Sequence, residues 1–394
     1  MGKPVILSAC RTAGGKFGGT LKNVEATDLG GLVIKEALSR SGLSAEDIGE
    51  VVMGNGWQAG VGANPARIAL FKAGLPQSIP AFTVNKRCGS GLKAAMLISD
   101  RIRLGDIRAG IAGGMESASN VPYLSQDARW GARMGEKSLL DVLHKDGFLC
   151  PIAGMLMGST AEVLVEEFSI TREEQDRFAL DSHRKALRAI DNGWFREEIV
   201  PVPVKDKKKG TILFEQDEIP LRDTSMEALE KLPAIFKKDG TITAGSSSAL
   251  CDAGSAVVVA DSEWAAANGY KPVAEILGYA PGALDALHMG LGPTVAIPKA
   301  LKMAGMALED MEIIEINEAF AAQVIACHRV MPFDMDRLNL HGGAVALGHP
   351  IGATGTKILT TLLYALKTHD REIGLASACI GGGQGVAMVV RRLS

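Results

Sequence analysis

The sequence predicts an α/β protein of two similar halves, with a segment of different texture inserted between them. Three observations support this: apolar strand-like runs alternate with helical stretches, an internal repeat returns at a fixed offset, and the composition changes between about 119 and 248. At 394 residues the chain is too long for a single core, and two or three domains are expected.

The elements follow in order. Lys3-Pro4-Val5-Ile6-Leu7 reads as a strand near 4–8, followed by a helix near 27–41, a strand at 50–53 and a helix at 65–73. A strand at 81–85, a helix at 88–104 and a strand at 109–113 complete this run. Later strands lie near 256–260, 273–277, 312–316, 374–379 and 386–390, with helices near 294–304, 319–330 and 352–367 among them. Sliding the sequence by 263 residues, the offset from Gly42 to Gly305, lays Ile34, Ala37 and Leu38 on Ile297, Ala300 and Leu301. It also lays Glu46-Asp47 on Glu309-Asp310. Each copy reads helix, glycine stop, acidic turn, strand, and the fixed register favours duplication over shared α/β grammar. Two packed halves would bring functional turns from both to one seam.

Residues 119–248 break the pattern with Trp130-Gly-Ala-Arg133-Met134, a helical stretch at 171–191 and the basic run Lys205-Asp-Lys-Lys-Lys209. The expected division is 1–118 with 249–270 for the first half, 119–248 for an inserted lid or clamp, and 271–394 for the second half. The lysine run is expected to be a solvated loop, with a grip on an acidic ligand tail as the alternative.

A hydrophobic content of 47%, a charged content of 22% and a net charge of −3 describe a soluble globular protein. They give no reason to expect nucleic acid or an anionic membrane as partner. The six cysteines, at 10, 88, 150, 251, 327 and 379, form no C-x-x-C pair or Cys/His cluster, so neither a zinc site nor a disulfide framework is expected. No secretory signal opens the chain, Ile6 stands where myristoylation wants Ser or Thr, and no apolar run spans a bilayer. Reduced thiols in a cytoplasmic setting fit best.

Candidate chemistry gathers at strand ends. Asn85-Lys-Arg-Cys88-Gly-Ser-Gly puts a cysteine on a strand-to-helix turn, where unpaired N–H groups and the helix dipole favour a thiolate. Asn317-Glu-Ala-Phe320, Gly348-His349-Pro350, Cys379-Ile-Gly381-Gly-Gly-Gln-Gly385 and Thr243-Ala-Gly-Ser-Ser-Ser248 pair reactive or polar side chains with strand ends and glycines. His349 on its tight turn supplies a base for Cys88, and Cys379 a second proton-transfer group. Asn317 can orient a water or polarise an oxygen, and N–H groups near Gly381 and Cys88 can form an oxyanion hole. One nucleophile with two proton carriers suits acyl transfer coupled to carbon–carbon bond formation or cleavage. Blander readings stand beside each. Cys88 and Cys379 can be core hydrophobes, His349 a turn histidine, Asn317 a helix cap, and Gly381–Gly385 a phosphate cradle, although it lacks the P-loop's lysine.

Taken with Gly113-Gly-Met-Glu116-Ser117 and Gly342-Gly-Ala-Val-Ala-Leu-Gly-His349-Pro350, these motifs resemble the thiolases in order and spacing, from Val5 to Arg391. The resemblance implies a five-layered αβαβα fold of two duplicated halves with an inserted loop domain that grips coenzyme A. It implies that Cys88, activated by His349, carries the acyl group, and that Cys379 moves the proton of the acetyl-CoA carbanion. His349 and a water held by Asn317 would surround the thioester oxygen, with Cys88 and Gly381 N–H groups on the other oxyanion. Ser248 matches the serine on the pantetheine arm, and Met157 and Phe320 are further candidates for the substrate surface. Coenzyme A enters as a substrate, with no metal or other cofactor expected. A homodimer or homotetramer is implied.

The chain also departs from the family pattern. Leu156-Met157-Gly158 and Ser246-Ser247-Ser248-Ala249 lean towards the 3-ketoacyl branch of β-oxidation, whereas Trp130–Gly135 and 339–355 look like the acetyl-CoA acetyltransferase side. Cys251 and Ala253 replace common Asn and Gly, and an arginine often near the CoA loop is displaced to Arg222. The alternatives are a β-ketoacyl synthase type of condensing enzyme, which would not carry Cys379, and a non-catalytic acyl-CoA or lipid binder, which needs no paired thiols.

Overall fold

The structure is a computed structural model that describes residues 2–206, 208 and 210–393. The first half contributes β1 (Pro4–Thr12), α1 (Ala26–Ser41), β2 (Ile48–Gly54), α2 (Pro65–Lys72), β3 (Ala81–Val84), α3 (Ser90–Leu104) and β4 (Ala109–Ser117). The inserted stretch carries two long helices, α4 (Met157–Glu167) and α5 (Arg172–Asp191). Then come β5 (Cys251–Asp261), β6 (Ala274–Ala283), α6 (Gly292–Ala304), β7 (Ile313–Ile316), α7 (Ala321–Val330), α8 (Thr354–Thr368), β8 (Ile373–Ile380) and β9 (Gln384–Arg392). The strands run β7-β8-β9-β6-β1-β5-β4-β2-β3. At the junction β1 and β6 pair only through Val5–Glu275 and Ile6–Ala274, so the sheet divides there into two leaves.

Five layers result. α3 and α8 lie in the middle, and their apolar faces, including Leu92, Ile98, Leu359 and Leu362, pack between Val52, Ala112 and Val257 of one leaf and Ala376, Val386 and Met388 of the other. α1 and α2 cover the outside of the first leaf with Val33, Ile34, Ala69 and Leu70. α6 and α7 cover the second with Ala296, Ile297, Val324 and Cys327. Strands buried on both faces explain why β1, β5 and β8 read as near-continuous apolar runs.

The repeat is visible in the caps. α1 ends on Gly42 at φ 74° and α6 on Gly305 at φ 68°, the left-handed stop that glycine adopts at low cost. The turns after them close alike: Ser44 N donates to Asp47 Oδ2 at 2.9 Å, and Ala307 N to Asp310 Oδ2 at 2.8 Å.

The inserted stretch is bolted to the core by buried charge. Arg11 of β1 reaches Glu198 Oε1 at 2.5 Å and Asp217 Oδ1 at 2.8 Å, with all three side chains fully buried. Val202–Asp206 and Gly210–Phe214 pair as a hairpin; Lys208 between them is exposed, and Lys207 and Lys209 lie outside the described residues. Among the described residues, no helix is long and apolar enough to cross a membrane, and no group of His, Cys, Asp or Glu is set to hold a metal.

His341 gives this scaffold a pH dependence. Its buried ring stacks on Trp194 of the insert at 4.9 Å, and its Nε2 lies 3.1 Å from His369 Nε2. Burial, then the neighbouring His369 and Arg11, push its pKa down to about 3. An unfolded chain would take up that proton near pH 6.5. The sign follows: the folded state binds fewer protons, so stability is full above that value and falls as pH drops towards the folded pKa. Melting temperature is expected to fall between about pH 7 and about pH 4, and less steeply in His341→Phe. An unchanged slope in that variant would remove His341 from the account.

Candidate active site

β3 ends at Val84, and a single 3₁₀ turn, Arg87–Gly89, leads into α3. Cys88 sits on that turn, half-buried, as the sequence predicted. Its neighbour Arg87 adopts φ 49°, a left-handed conformation that costs a non-glycine residue about 1–2 kcal/mol. Its surroundings hold it there: Arg87 N donates to Asn85 Oδ1 at 3.0 Å, and its guanidinium donates to the carbonyls of Asp146, at 2.7 Å, and Gly147. Backbone strain is thus stored one residue from a thiol.

The base comes from the other half. Gly348, at φ 78°, turns the chain into His349, and a Cβ there would meet Ile219 and Cys251 at 2.4 and 2.6 Å. His349 N donates to Ala249 O at 2.9 Å, and its Nε2 lies 3.1 Å from Cys88 Sγ. The tautomer can be assigned from the other nitrogen. Nδ1 lies 2.6 Å from Thr354 Oγ1, whose own hydrogen goes to Pro350 O at 2.9 Å. Nδ1 must therefore donate to Thr354, which leaves Nε2 bare to accept the Cys88 proton. Thr354→Val keeps the volume, strands Nδ1–H and frees the other tautomer. Turnover is expected to fall about 10–100-fold at unchanged fold; full activity would contradict the assigned tautomer.

Around this pair stand the other predicted groups. Cys379, at the end of β8, is buried; burial raises its thiol well above the ordinary value, and Cys88 raises it further, so the two sulfurs are electrostatic neighbours. Gly381 and Cys88 direct backbone N–H groups at the Cys88 sulfur. A Cβ on Gly381 would lie 2.8 Å from Met157 Cε and 2.9 Å from Arg87 Nε, so a larger residue there would push both side chains aside. Asn317 caps no helix: Phe320 occupies the cap position of α7. Both atoms of its amide are buried with no partner among the described residues, and the unmet hydrogen-bonding capacity of such a group suits a ligand or a water.

One expectation is overturned. The helix start was expected to favour a Cys88 thiolate, yet burial raises the thiol, outweighing Arg87 and the two N–H groups that lower it. Burial also pushes His349 down to about 3, with Lys357 and Arg87 adding to it. The resting pair is neutral thiol and neutral imidazole. Deprotonation belongs to the attack on substrate, when the proton moves along the 3.1 Å contact.

The insert and its return strand form the rim. Ser248 N donates to Ala319 O at 3.0 Å, and Ala321 N to Ser246 O at 2.9 Å, so the serine-rich loop is laced to Asn317–Phe320. Phe320 meets Phe236 edge-on at 5.8 Å, and Met157, Phe320 and Cys379 share one apolar cluster. Arg222 instead pairs with Asp191 at 2.6 Å on the surface.

Two further carboxylates were not picked out from the sequence. Glu116 Oε1 and Oε2 accept from Asn55 Nδ2, Trp57 N, Gly56 N and Gly352 N at 2.7–3.2 Å, tying β2's exit to the His349 loop. Glu318 accepts from Ser182, Asn339 and Val345 N at 2.7–3.1 Å, fixing the Asn317 loop. Glu116 lies inside the quoted Gly113–Ser117 motif and Glu318 inside Asn317–Phe320, but their partners are remote in the chain.

The thiolase N-terminal domain matches residues 4–263 and the thiolase C-terminal domain matches residues 270–392. The chain belongs to the thiolase family. This thiolase is 49% identical over 391 residues to an Escherichia coli protein named acetyl-CoA acetyltransferase, covering 99% of each chain. It is 45% identical over 392 residues to a Staphylococcus aureus protein named probable acetyl-CoA acyltransferase, covering all of both. The acetyl-CoA acetyltransferase structures of Bacillus anthracis and Syntrophomonas wolfei superpose with TM-scores of 0.97 at 41% and 39% identity. Those alignments cover all of this thiolase, with 99% and 100% of the respective structures.

Proposed function

We propose that this thiolase is an acetyl-CoA C-acyltransferase that interconverts 3-ketoacyl-CoA plus CoA with acetyl-CoA plus a shortened acyl-CoA. With acetoacetyl-CoA both products are acetyl-CoA. The observation that carries the reading is the Cys88 Sγ to His349 Nε2 contact of 3.1 Å, set among two N–H donors, a second thiol and an unpaired amide. The names of the relatives support the substrate class.

In the cleavage direction Cys88 passes its proton to His349 Nε2 and its sulfur attacks the 3-keto carbon. The oxyanion is met by preorganised N–H donors; removing one such donor typically costs on the order of 10²–10³ in rate. The C2–C3 bond breaks, the Cys379 thiol protonates C2, and acetyl-CoA leaves. The incoming CoA thiol then gives its proton to the Cys379 thiolate and attacks the acyl-Cys88 thioester. As Cys88 departs, His349 returns its proton. Protons and electron pairs balance without a metal or redox group, so coenzyme A is the sole small-molecule partner this chemistry requires.

The exposed edge strand β3 with Phe82, its neighbour Phe71, and the exposed Tyr123, Trp130, Met134 and Leu139 support a homodimer or homotetramer. Leu156-Met157-Gly158 leans towards the 3-ketoacyl branch, and Met157 shares an apolar cluster with Cys379, so longer acyl chains are a second substrate class. The test is CoA-dependent disappearance of acetoacetyl-CoA and of longer 3-ketoacyl-CoAs. Cleavage that needs free CoA is expected. Binding without cleavage, or turnover only with malonyl thioesters, would favour a binder or a decarboxylating synthase.

A further inference from the structure

Lys357 is an enclosed amine, 5% exposed, that the chemistry above leaves unused; burial lowers its pKa, while Cys251, Asp217 and Glu198 favour its charged form. It lies on α8 three residues after Thr354, so both side chains occupy the helix face that backs the His349 turn. Thr354 takes the imidazole's Nδ1–H. Lys357 Nζ donates to Leu347 O at 2.8 Å and to Gly348 O at 3.1 Å, the two carbonyls immediately ahead of His349. A small cavity beside it is walled by Lys357 itself with Glu315, Asn317, Gly348, Thr354 and Thr361, so Lys357 and Asn317 border the same interior space.

We propose that Lys357 is a positioning residue for His349: a buried cation that pins the turn carrying the imidazole and, through its charge, prevents the ring from keeping the proton taken from Cys88. The inference rests on His349 acting as the base in the reading above. Its consequence is directional. An imidazolium forming beside a fixed positive charge, in a site of low polarisability, gives its proton up readily to a leaving thiolate.

The surrounding charges fit. Facing the imidazole are Lys357 of α8 and Arg87 of the nucleophile turn, with Cys88 on its Nε2; Glu116 holds Gly352 N, three residues on. Facing Lys357 are Cys251 of β5, Arg11 of β1, and Asp217 and Glu198 of the insert. Glu315 of β7 also feels it, but burial, then Glu318 and Glu198, raise that carboxyl well above its ordinary range and keep it protonated. Asp217 behaves oppositely: against burial, Arg11 and Lys357 hold it below the usual carboxylate range. Asp217 is thus the carboxylate that balances the ammonium, whose hydrogen bonds at the turn go to the Leu347 and Gly348 carbonyls.

The test is ¹⁵N-histidine NMR of the full chain with Lys357→Gln and Lys357→Arg. The wild type and Lys357→Arg are expected to keep His349 neutral, with its proton on Nδ1, from about pH 8 to about pH 5. In Lys357→Gln the midpoint is expected to move up by about one unit or more, and the acid limb of Cys88 alkylation with it. Burial is the larger cause of the low His349 value, so Lys357→Arg, which keeps the charge and disturbs the two hydrogen bonds, separates the two: a midpoint that rises in both variants reads loss of burial. That outcome, an unshifted midpoint in Lys357→Gln, or an imidazolium in the wild type at about pH 6 overturns the proposal; if Lys357→Gln does not fold, Lys357→Met takes its place. None of these readouts needs turnover. Failure to cleave acetoacetyl-CoA would therefore sink the functional reading separately.

Discussion

Cys88→Ala is expected to abolish cleavage and condensation together, with a loss of about 10⁴-fold or more, the scale seen when a covalent nucleophile is removed from an assembled site. The size follows from what remains. Alanine leaves His349 and the two N–H donors in place, but they then surround a methyl group, and binding alone does not transfer an acyl group. The fold should tolerate the change, because Cys88 is half-buried and packs against the edge of the central core rather than within it. Iodoacetamide distinguishes the same residue in the intact chain. Cys10, Cys251 and Cys327 are buried with thiols pushed up to about 12, and Cys379 is buried too. Cys88 should therefore be labelled first, and acetyl-CoA should protect it. Equal labelling of several cysteines without protection would contradict a Cys88 thiol set apart by its access to the acyl site.

The second large effect separates the two sulfurs. Cys379→Ser is expected to lower cleavage and condensation by about 10²–10⁴-fold, the usual worth of a positioned proton donor, while Cys88 still accepts an acetyl group from acetyl-CoA. A serine hydroxyl is a far weaker acid than a thiol and cannot readily deliver a proton to a carbanion. The first half-reaction in the synthetic direction needs no carbanion, so it should survive. Full thiolysis in this variant would show that the proton reaches C2 by another route. Loss of Cys88 acylation as well would mean that the two thiols act as one unit.

Much of this arrangement was legible in the sequence because it is local. The 263-residue repeat, glycine stops included, predicted α6 and β7 from α1 and β2, and the stops proved to be matching left-handed caps at Gly42 and Gly305. Cys88, His349, Asn317 and Cys379 each lie on a turn or strand end that short-range pattern identifies. What the sequence withheld is long-range. Lys357 reads as a solvent-facing helix lysine and is instead enclosed between both halves. Thr354 is an ordinary helix-start threonine until Gly348 folds the imidazole back onto it. The protonation state of Cys88 was misjudged for the same reason. A helix start is visible in the primary structure, but the burial that outweighs its dipole is made by residues from β3, the 143–148 turn and β8 together.

The chemistry depends on one covalent event: acetyl-CoA must leave its acetyl group on Cys88. Brief incubation with acetyl-CoA, acid quench and peptide mass spectrometry reads this directly. One acetyl group on the peptide containing Cys88, discharged on adding free CoA and absent from His349→Ala under the same exposure, is the predicted result. Acetylation centred on Cys379 or on a lysine, or an unmodified Cys88 in a preparation that turns over, would contradict it.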